Sequence, residues 1–438
     1  MDLIELSQKI SNQTAKIAVI GLGYVGLPLA ASLAEAGFSV LGLDIKQERV
    51  ATINNGGNPI KGKEPGLDEL LSKIITSGKL QATCDYQDLR DRDIVFVNVE
   101  TPVDDTHQPG YQALRAVLRS LGPVLKKGAL VIIESTISPG TMQNIVLPDL
   151  EKSSGGKLNR DFYLGNCPER VMPGKLLANI KTMQRVIGGA DEQTARTMEK
   201  LYCQFVKADL DLTDWITAEL VKTVENAYRD VQIAFANEVA VACEELGADV
   251  WKVRELVNKT PARNVHKPGA GVGGHCIPKD PWLLASSLAG KRELTLIPAA
   301  RAINDSMPAH MAVLLEKGLK QLGKEIKDSR VLILGFAYLE NSDDDRNSPS
   351  AQLVKLLKQK NVPYSVHDPF IEEYKGNVYE MAEGCDALVL MTAHDLYRDL
   401  DLAKLKEVMK TPLIVDGRHV FDDLPDSNGF KFISLGRG

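Results

Sequence analysis

The sequence predicts an α/β protein made of two doubly wound parallel-sheet domains joined by a long central helix. Three observations carry this prediction. Short apolar runs alternate with helical patterns near both ends of the 438-residue chain. A Gly-x-Gly-x-x-Gly turn stands between the first strand and the first helix of the amino-terminal half. Residues 214–246 contain neither Gly nor Pro, and such a stretch would form a helix of roughly 50 Å at 1.5 Å per residue.

The first element, Lys16-Ile-Ala-Val-Ile, reads as a buried strand that runs into Gly21, Gly23 and Gly26. A helix comes next, through Leu-Ala-Ala-Ser-Leu-Ala-Glu-Ala, and stops at Gly37, and a second strand ends at Asp44. Gly21 allows the tight turn, Gly23 lets the backbone approach a pyrophosphate, and Gly26 lets helix and strand pack closely. Asp44 is placed to hold the ribose hydroxyls of an adenosine, which favours NAD over NADP. The glycines alone are weak evidence, but with strand, helix and acid in place they describe a Rossmann dinucleotide site. Further strands are expected at Asp93–Val99 and Ala129–Ser135, extending a parallel sheet to about residue 200.

Residues 214–246 end at Gly247, a natural residue to follow a helix, and their Ala and Val content suits a central spine with a dimer contact. A second nucleotide-fold pattern begins at Arg330-Val-Leu-Ile-Leu-Gly. Ser348 reads as an N-cap and Pro349 as the first residue of the next helix. Strands are expected at 364–368, 386–391 and 412–416, with a short last strand and tail in 428–438. This half lacks the full glycine fingerprint, so it is read as a Rossmann-like domain for something other than a second NAD. The expected division is an NAD domain over 1–205, a central helical domain over 206–315 that dimerises and carries a cysteine loop, and a second Rossmann-like domain over 316–438.

Hydrophobic residues at 44% and charged ones at 25% are those of a globular enzyme. The net charge of −6 argues against nucleic acid or an anionic membrane as partner. The first ten residues are too polar for a signal peptide and no apolar run reaches spanning length. Cys84, Cys167, Cys203, Cys243, Cys276 and Cys385 lie far apart, so neither a zinc site nor a disulfide framework is expected, and a reducing cytosol fits. The histidines show no metal-ligand spacing.

The richest chemistry lies in Lys267–Trp282, where glycines and prolines force a loop around Cys276. His275 and Lys279 stand close enough in sequence to favour a thiolate, although a buried structural cysteine is the commoner fate. On an NAD fold a reactive cysteine has a specific use. Hydride transfer from an alcohol needs no nucleophile, whereas an aldehyde yields a hydride only after its carbon becomes tetrahedral. Lys222 and Asn226, four apart on the helix, could stabilise oxyanions, or be a solvated face. Asp280 could order a water, act with Lys222 in deprotonation, or cap a turn. Glu169 stands just past a strand end, where α/β sites lie, and could activate water or form a surface ion pair. Ser135 and Thr136 are read as holders of water near the nicotinamide or as a helix cap.

These pieces resemble the UDP-glucose/GDP-mannose dehydrogenase family over nearly the whole chain. The matching motifs are Gly-Leu-Gly-Tyr-Val-Gly-Leu-Pro, Glu64-Pro-Gly-Leu, Ser135-Thr136 with Pro139-Gly-Thr, and Pro168-Glu169. Glu219-Leu-Val-Lys-Thr-Val-Glu-Asn226 with Arg229, Asn237-Glu238, the Cys276 loop and Asp343–Pro349 complete them. The resemblance implies oxidation of the C6 alcohol of a nucleotide sugar to a carboxylate in two NAD-dependent steps, in a homodimer or larger homo-oligomer. By similarity Cys276 is the nucleophile, Lys222 and Asn226 stabilise oxyanions, Asp280 aids proton transfer, Glu169 activates the hydrolytic water and Thr136 positions water. Cofactor contacts are expected at the fingerprint with Tyr24 and Val25, at Asp44 and Arg49, and at Thr101, Thr136 and Arg346. The UDP-sugar is expected at Glu169, Arg170 and Val171, at Lys222, Asn226 and Arg229, and at Gly273, Phe336 and Arg346. Arg263, reaching from a partner subunit, and His266 join them.

Pro-Glu-Arg-Val-Met-Pro-Gly174 and Gly-Gly-His-Cys-Ile-Pro-Lys-Asp-Pro-Trp282 resemble the N-acetylhexosamine branch, the UDP-N-acetyl-D-mannosamine dehydrogenases most. Glucose-type members instead carry Asn-Pro-Glu-Phe-Leu and Gly-Ser-Cys. Two departures stand out: Leu339 replaces the usual Lys of a Gly-x-Ala-Phe-Lys motif, and Glu100 takes a position that is usually small or apolar. The competing readings are UDP-glucose or UDP-N-acetylglucosamine/galactosamine as substrate, a two-electron hydroxy-acid dehydrogenase, and a non-catalytic nucleotide-sugar binding protein.

Overall fold

The computed structural model describes residues 1–60, 62, 64–172, 174–421 and 429–438. Pro173 of the branch motif and Asn428 at the head of the predicted tail lie outside the described residues. The chain forms two compact units, Met1–Glu225 with Trp282–Lys291, and Asn226–Pro281 with Arg292–Gly438.

The first unit holds β1 (Lys16–Ile20), β2 (Ser39–Leu43), β3 (Leu80–Thr83), β4 (Ile94–Val97), β5 (Ala129–Ile133), β6 (Phe162–Asn166), β7 (Arg185–Gly189) and β8 (Leu210–Asp214). They form one sheet in the order β3-β2-β1-β4-β5-β6-β7-β8. Alternate residues of the central strands feed two cores. Ile17, Val19, Ile94, Phe96, Leu130 and Ile132 pack on one face. Ala18, Ile20, Val95, Val97, Val131 and Ile133 pack on the other. Strands buried on both faces read as continuous apolar runs, and that is why the sequence exposed them.

One pair departs from the all-parallel expectation. β6 and β7 run antiparallel through Gly165↔Gly189 and Asn166↔Gly188. The chain reverses between β6 and β7 rather than crossing over, and β8 lies parallel to β7, so these last two strands run opposite to β1–β6. The sheet thus continues past the expected limit near residue 200.

The predicted long helix runs Trp215–Leu246. Asp214 begins it by accepting Thr217 N at 2.8 Å, and Gly247 ends it at φ 71°.

The second unit holds β9 (Val331–Leu334), β10 (Tyr364–His367), β11 (Ala387–Leu390), β12 (Leu413–Asp416) and β13 (Lys431–Ser434). Their order is β10-β9-β11-β12-β13 with every pair parallel. Helix Leu296–Gln321 covers one face, packing Met307, Met311 and Leu315 with Val331 and Ile333. Ser348 caps helix Pro349–Gln359 as the sequence predicts, its Oγ accepting from Ser350 N at 3.1 Å. Among the described residues no helix is long and apolar enough to cross a membrane.

Candidate active site

The dinucleotide turn of the first unit has the geometry its glycines suggest. Gly21 takes φ 89°, where a side chain would be strained. A Cβ on Gly26 would stand 1.8 Å from the Gly21 carbonyl oxygen, whereas one on Gly23 would meet nothing within 4 Å. The turn is therefore closed on its protein side and open at Gly23, which is the cradle a pyrophosphate needs. Asp44, 5% exposed, accepts Leu22 N and Lys46 N at 2.9 Å each and Arg49 Nη1 at 2.8 Å. Burial would raise this carboxyl, but Lys46 N–H, Arg49 and Leu22 N–H together hold it below its ordinary value. It is ionised and has acceptor capacity left for a ribose hydroxyl, so the residues present fit NAD.

Ser135 is not a helix cap. Its Oγ donates to Val99 O at 2.7 Å and accepts Val99 N at 3.0 Å, tying down the loop after β4. Thr101 Oγ1 donates to Thr136 O at 2.5 Å in the same place, and Thr136 is half-buried. Glu100 is exposed.

Glu169 is 6% exposed, so the surface ion-pair reading of it is wrong in its surface and right in its pairing. Its Oε1 accepts Arg170 N at 2.6 Å and its Oε2 is ion-paired with Arg185. Glu169 N donates to Glu134 O at 3.3 Å, and Glu134 Oε1 accepts the Tyr202 hydroxyl at 2.6 Å, so Arg185, Glu134, Tyr202 and Cys167 share this interior, and no sequence motif pointed to them as a group. The available signal was a charged Glu134 at the end of the apolar run Ala-Leu-Val-Ile-Ile. Arg170 Nε meets Glu225 at 3.2 Å, and Val171 packs against the sheet core.

Two motif acids are structural in this unit. Glu64 accepts Gly174 N at 2.6 Å and Leu176 N at 3.2 Å, securing the segment after Glu169. Glu219 accepts Gly140 N at 2.6 Å and Met142 N at 2.8 Å, and burial pushes it up to about 7. Trp282 stacks on His107 with centroids 3.7 Å apart.

In the second unit the cysteine loop lies flat against residues 338–349. A Cβ on Gly273 would come within 2.5 Å of Tyr338 Cβ and 2.9 Å of Asn347 O. Gly274, at φ 89°, donates its N–H to Arg346 O at 2.8 Å and accepts Asn347 Nδ2 at 3.0 Å. These glycines are required by contact with the protein itself. Asn237 pins the head of the loop, accepting Gly269 N at 2.9 Å while its Nδ2 donates to Asn304 at 2.8 Å.

Cys276 is exposed, which removes the reading of it as a buried structural cysteine. Its carbonyl accepts Lys279 N at 3.1 Å and Asp280 N at 2.8 Å, forming the turn that opens helix Asp280–Ser286. His275 does not help a thiolate by charge. Burial, with the charges of Lys279 and Arg346 behind it, pushes its pKa down to about 4, so it is neutral near pH 7. Lys279 is buried and stands 3.6 Å from Asp280.

Asp280 is fully buried; its Oδ2 accepts Asn226 Nδ2 at 2.5 Å, while Oδ1 has no hydrogen bond among the described residues and faces Lys279 Nζ at 3.6 Å. Lys222, one helical turn from Asn226, is 7% exposed and Asn226 is half-buried, so the two do not form a fully solvated face. Arg346 spends two donors on Asp344, Nε at 2.8 Å and Nη2 at 2.5 Å. Phe336 N donates to Asp368 at 2.7 Å, and its ring lies 4.6 Å from that of Tyr374. Arg229 and Arg263 are exposed, His266 Nδ1 lies 3.1 Å from Lys267 O, and Leu339 is 39% exposed. Among the described residues no group of His, Cys, Asp or Glu could hold a metal ion.

Comparison with known proteins agrees with this layout. Residues 15–206 match the profile of the NAD binding domain of the UDP-glucose/GDP-mannose dehydrogenase family, 216–306 its central domain and 332–423 its UDP binding domain. A UDP-N-acetyl-D-mannosamine dehydrogenase of Pyrococcus horikoshii is 39% identical over 97% of this chain and 99% of its own. A solved structure of the UDP-D-ManNAc dehydrogenase from the same organism superposes with a TM-score of 0.92 at 38% identity, covering 97% of this chain and 99% of that one. A solved NDP-N-acetyl-D-galactosaminuronic acid dehydrogenase from Methanosarcina mazei Go1 gives 0.87 at 36% identity, covering 100% and 98%. With matching profiles in sequence order and relatives alike from end to end, this chain belongs to the UDP-glucose/GDP-mannose dehydrogenase family.

Proposed function

We propose that this chain catalyses the NAD-dependent, four-electron oxidation of the C6 alcohol of UDP-N-acetyl-D-mannosamine to the carboxylate. The observation that carries this reading is an exposed Cys276 on a rigid glycine loop, in a chain that matches NAD-binding, central and UDP-binding profiles. NAD, when bound, supplies the hydride acceptor for both oxidations. The chain's residues do the rest. The Cys276 sulfur adds to the aldehyde carbon, a C–S bond forms, and the tetrahedral thiohemiacetal is the species that can lose a second hydride. Water then attacks the resulting thioester, the C–S bond breaks, and the acid leaves as Cys276 regains its thiolate.

Lys222 and Asn226 stabilise the oxyanions and Asp280 takes part in proton transfer, a set supported by the Asn226–Asp280 hydrogen bond at 2.5 Å and by the burial of Lys222 and Asp280. Glu169 activates the hydrolytic water and Thr136 positions water. Gly21, Gly23, Tyr24, Val25, Gly26, Asp44 and Arg49 hold the cofactor with Thr101, Thr136 and Arg346. Arg170, Val171, Arg229, His266, Gly273, Phe336 and Arg346 hold the UDP-sugar, with Arg263 of a second subunit. We assign the NAD domain to 1–205, the central domain to 206–315 and the UDP-sugar domain to 316–438. A homodimer through the central helix is supported by the apolar residues Ile216, Leu220, Val224, Tyr228 and Phe235, which are 37% to 62% exposed. The six cysteines, none of them in a disulfide, fit work in a reducing cytosol.

A second substrate, UDP-N-acetyl-D-galactosamine, has support in the 36% identity to the Methanosarcina mazei protein over the full chain. Incubation with each UDP-sugar while NADH is counted separates the two. UDP-N-acetyl-D-mannosamine should yield two NADH per sugar, with acid as product. A yield of one would refute the four-electron reading, and turnover confined to UDP-N-acetyl-D-galactosamine would replace the sugar.

A further inference from the structure

Arg185, the first residue of β7, is wholly buried. Its Nη1 is ion-paired with Glu169, its Nη2 donates to Ile180 O at a long 3.4 Å, and its Nε has no hydrogen-bond partner among the described residues. Glu134, one residue beyond β5, is 1% exposed. Its Oε1 accepts the Tyr202 hydroxyl at 2.6 Å, and its Oε2 has no hydrogen bond among the described residues. Cys167 lies in the same interior and stays a thiol, pushed up to about 12 chiefly by burial. Burial likewise keeps Tyr202 a phenol. The pocket thus contains two carboxylates and one guanidinium, with two neutral neighbours.

An unbalanced charge in such a place costs several kcal/mol, so the pair retains a proton, as close carboxylates do. Glu169 has Arg185 and the Arg170 N–H as partners, whereas Glu134 has only Tyr202 among the described residues. The proton therefore rests on Glu134. Burial first, and the Glu169 charge second, push Glu134 up to about 8.

We propose that Glu134 is a positioning residue that sets the proton affinity of Glu169 through the guanidinium of Arg185. The inference rests on the reading of Glu169 as the group that activates water. While Glu134 holds its proton, Arg185 belongs to Glu169 and keeps it a weak base. When Glu134 ionises, the guanidinium has two carboxylates to serve and Glu169 can accept a proton. In hydrolysis the water oxygen adds to the thioester carbon, its proton goes to Glu169, and the C–S bond breaks to release Cys276 thiolate. The proton then passes to solvent.

The test tracks the acyl group on Cys276 by intact mass, after loading with UDP-sugar and NAD and transfer to a series of pH values. Wild-type hydrolysis should rise with pH and level off once Glu134 has ionised. Glu134→Gln, which keeps the volume and cannot ionise, should lose the levelled rise and run roughly tenfold slower at the alkaline end. Tyr202→Phe removes a hydrogen bond that favours ionised Glu134, so the rise should move to higher pH. The infrared difference spectrum of wild type minus Glu134→Gln near pH 7 should show the carbonyl band of one protonated carboxyl, over the constant background of Glu219, which burial pushes up to about 7. A wild-type profile in Glu134→Gln, or no such band, overturns the proposal. Glu169→Gln separates the two readings. If it stalls the acyl-enzyme while Glu134→Gln behaves as wild type, only this inference fails. If Glu169→Gln hydrolyses normally, the water-activating reading fails and this one with it.

Discussion

The two sheets begin with the same device and put it to different use. After β1 the chain turns at Gly21, φ 89°, and after β9 it turns at Gly335, φ 88°. In each case an acid at the end of the neighbouring strand accepts the N–H groups of the turn: Asp44 from Leu22, and Asp368 from Phe336 and Ala337. Past the turn the two diverge. The first has Gly23 open to space and starts its helix at Gly26. The second has fully buried Ala337 in the corresponding place and starts its helix only at Pro349. Asp368 is also spent, since it accepts Phe370 N at 2.9 Å and contacts His394 at 3.1 Å. An acid and a glycine make a turn; a second glycine and a nearby helix start make it a pyrophosphate cradle.

The sharpest way to break this comparison is Gly26→Ala. Its methyl would fall 1.8 Å from the Gly21 carbonyl oxygen, forcing turn and helix apart. We expect NAD affinity to drop by roughly two orders of magnitude and stability to fall by about 3 kcal/mol. Calorimetric NAD titration and urea unfolding read both. The converse change, Ala337→Gly, should create no NAD binding in the second unit, because the helix start remains far along the chain. Wild-type NAD affinity in Gly26→Ala would show that the closed turn is not the binding device.

These contrasts also explain what was legible in the sequence. The fingerprint, both sheets and the central helix could be read because local sterics and continuous burial leave marks on composition. Cys276 was legible because only a loop tolerates so many glycines and prolines. The role of those glycines was not, since their neighbours Tyr338 and Asn347 are more than sixty residues away. The antiparallel β6–β7 pair and the Glu134–Arg185–Glu169 group depend on which strands lie side by side, which no local pattern states. His275 looked like a cation beside the sulfur; burial makes it neutral.

The second turn should fail through stability alone. Asp368→Ala removes the acceptor for four backbone N–H groups and the partner of buried His394. A loss of about 3 kcal/mol is expected, with NAD affinity unchanged. The pH dependence has a definite sign. Burial would raise the Asp368 carboxyl, but His394 and the Ala337 and Phe370 N–H groups hold it at about 2, against an ordinary 3.8. Its contribution is complete above the ordinary value and is lost as pH falls through about 2. Acid unfolding should therefore be less steep in Asp368→Ala than in wild type across that window. Weakened NAD binding at neutral pH in this variant would contradict the separation of the two turns.

The smallest effect is expected at Asp44, where the first turn keeps acceptor capacity in reserve. Asp44→Asn can still accept the Leu22 or the Lys46 N–H, so stability should change by less than about 1 kcal/mol. NAD affinity should weaken roughly tenfold, as a charged acceptor for the ribose hydroxyls becomes a neutral one. Arg49, now 2.8 Å from the carboxylate, would lose its partner and present its guanidinium beside the place of the ribose. A 2′-phosphate is repelled by Asp44 and attracted by an unpaired Arg49. The ratio of NADP to NAD turnover should thus rise in Asp44→Asn and fall back when Arg49→Ala is added. A ratio that does not respond to Arg49 would mean that the arginine only braces the acid, and that Asp44 excludes NADP by its own charge.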